Sequence, residues 1–157
     1  MALEVGVRAP LFTAAIQDGS TRSLKSFRGK WVVLFFYPED DTPTCTKQAC
    51  DFRDNLSKFT SQEAVVMGVS PNGVSSHRAF IEKFGLNVDL IADEQRKLCE
   101  KYDVWKLKKL YGRSYMGVVR TTYVIDPKGI VAAVWTNVRT KGHADAVAAR
   151  LMELRTQ

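Results

Sequence analysis

A chain of 157 residues with 45% hydrophobic and 25% charged side chains has the composition of a globular protein, which excludes collagenous and disordered classes, and it can bury a core without cross-links. No run approaches the ~18 apolar residues of a membrane span, and Met1-Ala2-Leu3-Glu4-Val5 lacks the charged and apolar regions of an export signal, so one domain over 1–157, cytoplasmic and without a membrane partner, is expected. The formal charge of +6 is densest around Lys106, Lys108, Lys109 and Arg113. Interleaved apolar residues and a nearby glycine suit a solvated loop or helix end there, no nucleic-acid-binding motif accompanies the charge, and an acidic protein is the partner it could steer.

Residues 11–16 and 21–24 flank the turn-rich Gln17-Asp18-Gly19-Ser20, which predicts an opening hairpin. Residues 31–37, Trp-Val-Val-Leu-Phe-Phe-Tyr, form a continuous apolar run suited to a strand buried on both faces and ended by Pro38. A helix is predicted over 43–59 and a second buried strand over 64–69, a crossover that pairs the two strands in parallel. Ser75 or Ser76 can cap a helix that stops at Gly85, and Asp93 can cap another running to about Val104. Residues 118–125 and 130–138 flank Asp126-Pro127-Lys128-Gly129 as a second hairpin. A closing helix carries Val147, Leu151 and Leu154 on one face. This order predicts an α/β fold with a mixed central sheet and helices on both faces, compatible with a thioredoxin-like architecture.

Chemistry concentrates where the first buried strand hands over to a helix, because sites gather at the carboxyl ends of such strands. Thr42 suits the N-cap and Pro43 the first helical position, which puts Cys45 third in the helix. The unpaired N–H groups and positive dipole end there stabilise a thiolate, so Cys45 is the candidate nucleophile. Cys50 follows on the same helix, where five residues of separation correspond to roughly 8–9 Å between Cα atoms. A disulfide needs less than about 7 Å. If the two react with each other, the first turns must unwind. The C-x-x-x-x-C spacing argues against a C-x-x-C disulfide exchanger. Neither Cys99, His77 nor His143 has finger-like spacing that would complete a zinc site, and no metal or cofactor is expected. Cys99 reads as structural, with a backup thiol as the alternative.

The pattern Pro38-x-x-x-Thr42-x-x-Cys45, with Thr42-Pro43-x-Cys45-Thr46, Cys50 and Phe52-Arg53-Asp54, resembles the active-site signature of the Q-type peroxiredoxins, also called bacterioferritin comigratory proteins. The similarity extends to Ala9-Pro10-x-Phe12, Gly29-Lys30, Tyr37-Pro38 and Arg120-x-Thr122-Tyr123-Val124-Ile125-Asp126. The resemblance implies a thioredoxin fold and a thiol-dependent peroxidase acting on hydrogen peroxide and organic hydroperoxides. It implies that Cys45 attacks the peroxide and becomes a sulfenic acid, that Arg120 stabilises thiolate and peroxide charge, that Thr42 aligns sulfur and peroxide, and that Pro38 shields the sulfur. Cys50 is then the resolving cysteine, and the Cys45–Cys50 disulfide is reduced by thioredoxin or a similar dithiol. A monomer is implied, since the pair needs no second subunit. Thr44 and Gln48 stand where many relatives have glycine and glutamate, so the contact of Gln48 with an arginine becomes a neutral hydrogen bond. A peroxide sensor or redox-regulated interaction protein using the same cysteine switch is the alternative reading.

Overall fold

The computed structural model describes residues 2–157. Thr13–Ala15 (β1) and Thr21–Ser23 (β2) pair antiparallel as the opening hairpin. Trp31–Phe36 (β3) leads through a six-residue connection to Pro43–Asp54 (α1), a short Ser57–Thr60 (α2) and Ala64–Ser70 (β4). Val74–Phe84 (α3), Asp89–Ala92 (β5) and Lys97–Lys101 (α4) follow. Trp105–Leu110 (β6), Arg113–Val118 (β7), Thr121–Ile125 (β8), Val131–Trp135 (β9) and His143–Arg155 (α5) complete the order.

The central sheet runs β5-β4-β3-β8-β9. β3 is parallel to β4 and antiparallel to β8, and β4 is parallel to β5, so the mixed sheet is the one expected. Alternation along β3 builds a core on each side. Val33, Phe35 and Tyr37 join Cys45, Ala49, Phe52, Phe80 and the buried face of α5. Val32, Leu34 and Phe36 join Leu24, Leu98, Cys99, Tyr102 and Tyr123. Phe35 stacks on Phe52 with ring centroids 4.5 Å apart, which fixes α1 to the sheet. Gly68, beside Phe35 in β4, makes that ring position possible, since a Cβ there would come within 2.8 Å of Phe35 and of Leu90.

Several boundaries differ from the expectation. The helix over 43–59 breaks after Asp54, where Asn55 turns its side-chain amide onto the Asp51 carbonyl and ends α1. Gly73, not Ser75 or Ser76, occupies the N-cap of α3, because Ser76 is recruited by Asp40. Arg96, not Asp93, occupies the N-cap of α4, which covers only 97–101, while the Asp93 carboxylate accepts the first-turn N–H groups of Leu98 and Cys99 from three residues further back. Strand β5 lacks a long apolar run and gives little periodic signal. The basic run at 106–109 is neither loop nor helix end. It lies in β6, paired with β7 across Tyr111-Gly112, whose positive φ values of 50° and 75° suit a tight hairpin turn. Val118 belongs to that hairpin, and β8 starts at Thr121.

His143 opens α5 beneath the sheet, with Nε2 2.8 Å from Thr122 Oγ1 and the ring edge-on to Phe52 and Trp135. Burial, with the Arg120 charge second, pushes its pKa down to about 4 from 6.5. The native state therefore binds fewer protons than the unfolded chain between these values, and stability present above pH 6.5 is lost as pH falls toward 4. Urea unfolding midpoints measured from pH 7 to 4.5 should fall by the equivalent of about 2 kcal/mol, and His143→Gln should flatten that part of the profile.

Candidate active site

Strand β3 delivers the site. Its hydrogen bonding continues through Tyr37, whose N–H donates to the Val69 carbonyl, and half-buried Pro38 then turns the chain out of the sheet. Asp41 takes a left-handed φ of 59°, which lets the chain reverse into α1. Thr42 occupies the N-cap with extended backbone, and its carbonyl accepts the first helical hydrogen bond, from Thr46 N–H. Its hydroxyl does not cap the helix. It donates instead to the Glu39 carbonyl at 2.9 Å, bracing the connection. Among the described residues no side chain caps the first turn, so its N–H dipoles remain directed at the end where Cys45 lies.

Cys45 is 2% exposed. Arg120, half-buried between β7 and β8, donates from Nη2 to Cys45 Sγ at 3.2 Å and from Nη1 to Gln48 Oε1 at 2.6 Å. Cys45 and Gln48 are three residues apart on α1 and present one face to a single guanidinium. The Arg120 backbone is pinned by Val138 N–H at 3.0 Å. A fixed positive group in van der Waals reach of sulfur is what a thiolate nucleophile requires. The expected glutamine contact is present as a hydrogen bond from the charged guanidinium to a neutral amide rather than as an ion pair, and Gln48 Nε2 is buried with no partner among the described residues. Lys108 of β6 donates to the Val118 carbonyl at 3.0 Å, beside Arg120. Gly117 leaves room for its stem, since a Cβ there would sit 3.1 Å from Lys108 Cδ. Burial, then the Arg120 charge, lowers the pKa of this lysine. Nothing in the sequence distinguished Lys108 from its exposed neighbours.

Cys50 is half-buried on α1, packed against the same core as Cys45. The helix is continuous between them, and all three cysteines are free thiols. Cys99 lies on the opposite side of the sheet. Burial, followed by Asp93, pushes its thiol pKa far up. The arrangement thus brings Cys45, Arg120, Thr42 and Pro38 to one end of β3 and leaves Cys99 apart.

Residues 5–134 match the AhpC/TSA family. The chain belongs to the AhpC/TSA family of peroxiredoxins. It is 43% identical to a putative peroxiredoxin Bcp of Coxiella burnetii over 151 residues, 96% of this chain and all of the relative. It is 44% identical to the peroxiredoxin Bcp of Bacillus subtilis, with 91% of each covered. Among solved structures, the bacterioferritin comigratory protein of Xanthomonas campestris, trapped in intermediate and ligand complexes bearing on alkyl peroxide reduction, superposes with a TM-score of 0.90 at 34% identity over 96% of this chain and 98% of that one. A peroxiredoxin Q of Xylella fastidiosa gives 0.93 at 29% identity over 99% of both. The peroxiredoxin is therefore of the Q type, has a thioredoxin fold and is a thiol peroxidase that reduces hydroperoxides.

Replacing Arg120 by lysine keeps a charge but loses the planar fork that reaches Cys45 and Gln48 together. In Arg120→Lys, kcat/KM for hydrogen peroxide should fall about 10²-fold, measured by competition with a second peroxidase, while the circular dichroism spectrum stays unchanged.

Proposed function

We propose that Cys45 is the peroxidatic nucleophile and Cys50 the resolving thiol of a monomeric, thioredoxin-recycled peroxidase. The observation that carries this reading is the Arg120 hydrogen bond to Cys45 Sγ at the start of α1. In the first step the Cys45 thiolate attacks the terminal oxygen of ROOH. The O–O bond breaks, Cys45 becomes a sulfenic acid, and the leaving alkoxide takes a proton to depart as alcohol, or as water from hydrogen peroxide. Arg120 offsets the charge that moves from sulfur to the leaving oxygen. Pro38 shields the sulfur, and Thr42, whose hydroxyl oxygen keeps free lone pairs while its proton is given to Glu39, can accept from the protonated peroxide oxygen and hold it in line.

In the second step Cys50 sulfur attacks the Cys45 sulfenic acid, the S–O bond breaks and water leaves, giving an intramolecular disulfide. A helix holds the two residues too far apart for this bond, so the amino-terminal part of α1 opens first. A dithiol protein of the thioredoxin class then restores both thiols by exchange. The basic β6–β7 hairpin, which carries Lys109 and Arg113 and whose Lys108 lies beside Arg120, favours an acidic reductant. Cys99, buried and held protonated, takes no part.

Peroxide consumption coupled to thioredoxin, thioredoxin reductase and NADPH tests the assignment. Cys45→Ser should abolish turnover, Cys50→Ser should give one turnover with thioredoxin, and Cys99→Ser should retain near-normal rates. Steady turnover in Cys45→Ser would overturn the nucleophile. Recycling lost in Cys99→Ser and kept in Cys50→Ser would reassign the resolving thiol.

A further inference from the structure

The connection between β3 and α1 is held by a buried polar cluster that peroxide chemistry does not use. Asp40 is 9% exposed, yet both of its carboxylate oxygens are engaged. Its Oδ1 accepts the Tyr37 hydroxyl at 2.6 Å. Its Oδ2 accepts the Ser76 hydroxyl at 2.8 Å and lies 2.7 Å from Nδ1 of His77, which is fully buried. The Asp40 N–H donates to Asn72 Oδ1 at 2.8 Å. His77 Nε2 sits 2.9 Å from the Ile91 carbonyl, which can only accept, so this nitrogen carries a proton and one further proton joins Nδ1 to Oδ2. Burial first, and Asp40 second, hold the Tyr37 phenol well above its usual pKa, so it remains a donor. Next along the chain, Asp41 pairs with Lys83 of α3 at 2.8 Å. The five residues before α1 are thereby bolted to β4, α3 and β5, and among the described residues none of these hydrogen bonds involves Cys45 or Arg120.

We propose that the Asp40–His77 cluster is a latch: Asp40, His77, Ser76 and Tyr37 are positioning residues that hold Thr42 and Cys45 in the peroxide-reactive arrangement and set how slowly α1 opens toward Cys50. The inference rests on the Cys45–Cys50 pairing proposed above. To carry Cys45 toward Cys50, residues 43–49 must uncoil, and the chain feeding them is the connection that Asp40 anchors. Withdrawing Asp40 leaves a buried imidazole and two buried hydroxyls without their acceptor, a cost added to that of uncoiling residues 43–49. Opening is therefore slow while the latch is closed, and the Cys45 sulfenic acid persists. A second ROOH can then oxidise it to the sulfinic acid, with ROH leaving, before Cys50 arrives. The latch thus trades rapid first reaction against exposure to over-oxidation.

The test follows sulfenic acid loss and disulfide appearance by stopped-flow fluorescence, and the sulfinic fraction by intact mass after excess hydrogen peroxide, in wild type, Asp40→Asn and Ser76→Ala. In Asp40→Asn, disulfide formation should quicken about tenfold, the loss of roughly one charge-assisted hydrogen bond. Its sulfinic fraction should drop and its first reaction with peroxide should slow. Ser76→Ala, which removes a single hydroxyl and carries the test if Asp40→Asn does not fold, should shift the same quantities less. Leu151→Ala in α5 is the control for general loss of stability and should leave the ratio of disulfide to sulfinic acid unmoved. An unchanged ratio in Asp40→Asn and Ser76→Ala, or an equal change in Leu151→Ala, would overturn the latch. A wild type that forms no Cys45–Cys50 disulfide would instead overturn the pairing and the opening half of the proposal. Slower first reaction in Asp40→Asn than in Leu151→Ala would then still support the positioning half.

Discussion

Two cysteines five residues apart on one unbroken helix cannot bond, and the design of this site follows from that constraint. The helix serves Cys45 only while it is wound, because its first-turn dipoles and the Arg120 fork both require that geometry. It serves the proposed pairing with Cys50 only when that part is unwound. The attachments of α1 are distributed accordingly. Asp51 accepts the Ala144 N–H of α5 at 3.0 Å, Phe52 stacks on Phe35, and Arg53 reaches the Phe84 carbonyl at 2.5 Å. The segment before Cys50 is held by the burial of Cys45 and Ala49 against the sheet, by Arg120 through Cys45 and Gln48, and by the Asp40 cluster just ahead of it. Cys50 stands at the boundary between a part that can open and a part that is riveted down.

The electrostatics at Cys45 depend on elements far apart in sequence. Arg120 reaches the sulfur because β8 lies beside β3 in the sheet, and Lys108 approaches the same guanidinium because the β6–β7 hairpin folds back over this end. Two cations so close repel one another, and their repulsion is relieved when negative charge is present on the sulfur. The two cations are thus placed to complement the negative charge that the proposed Cys45 thiolate would carry.

What could be read from the residues followed from strong local rules. The apolar run of β3, Pro38, the Thr42-Pro43 helix start and the five-residue cysteine spacing are properties of contiguous sequence, and each reappears in the fold. The β6–β7 hairpin escaped because interleaved lysines hide strand alternation when one face is solvated, and its two-residue turn uses tyrosine where asparagine is common. Strand β5 is short and bounded by polar residues. The Asp40 cluster was invisible for a different reason: its partners Asn72, Ser76 and His77 lie more than thirty positions away, and a buried carboxylate looks like any acidic loop residue until its neighbours are known. Thr42 was legible as a cap position but not as a brace, since its hydroxyl had two competing uses.

The two cores that flank β3 also divide the thiols. Cys45 and Cys50 share one side, and Cys99 lies beyond the sheet among Tyr102, Leu98 and Phe36. The five-stranded sheet stands between the two groups of thiols. A third cysteine placed there is out of reach of the proposed Cys45–Cys50 exchange, so the topology of the sheet, rather than the chemistry of the thiols, would select the pair.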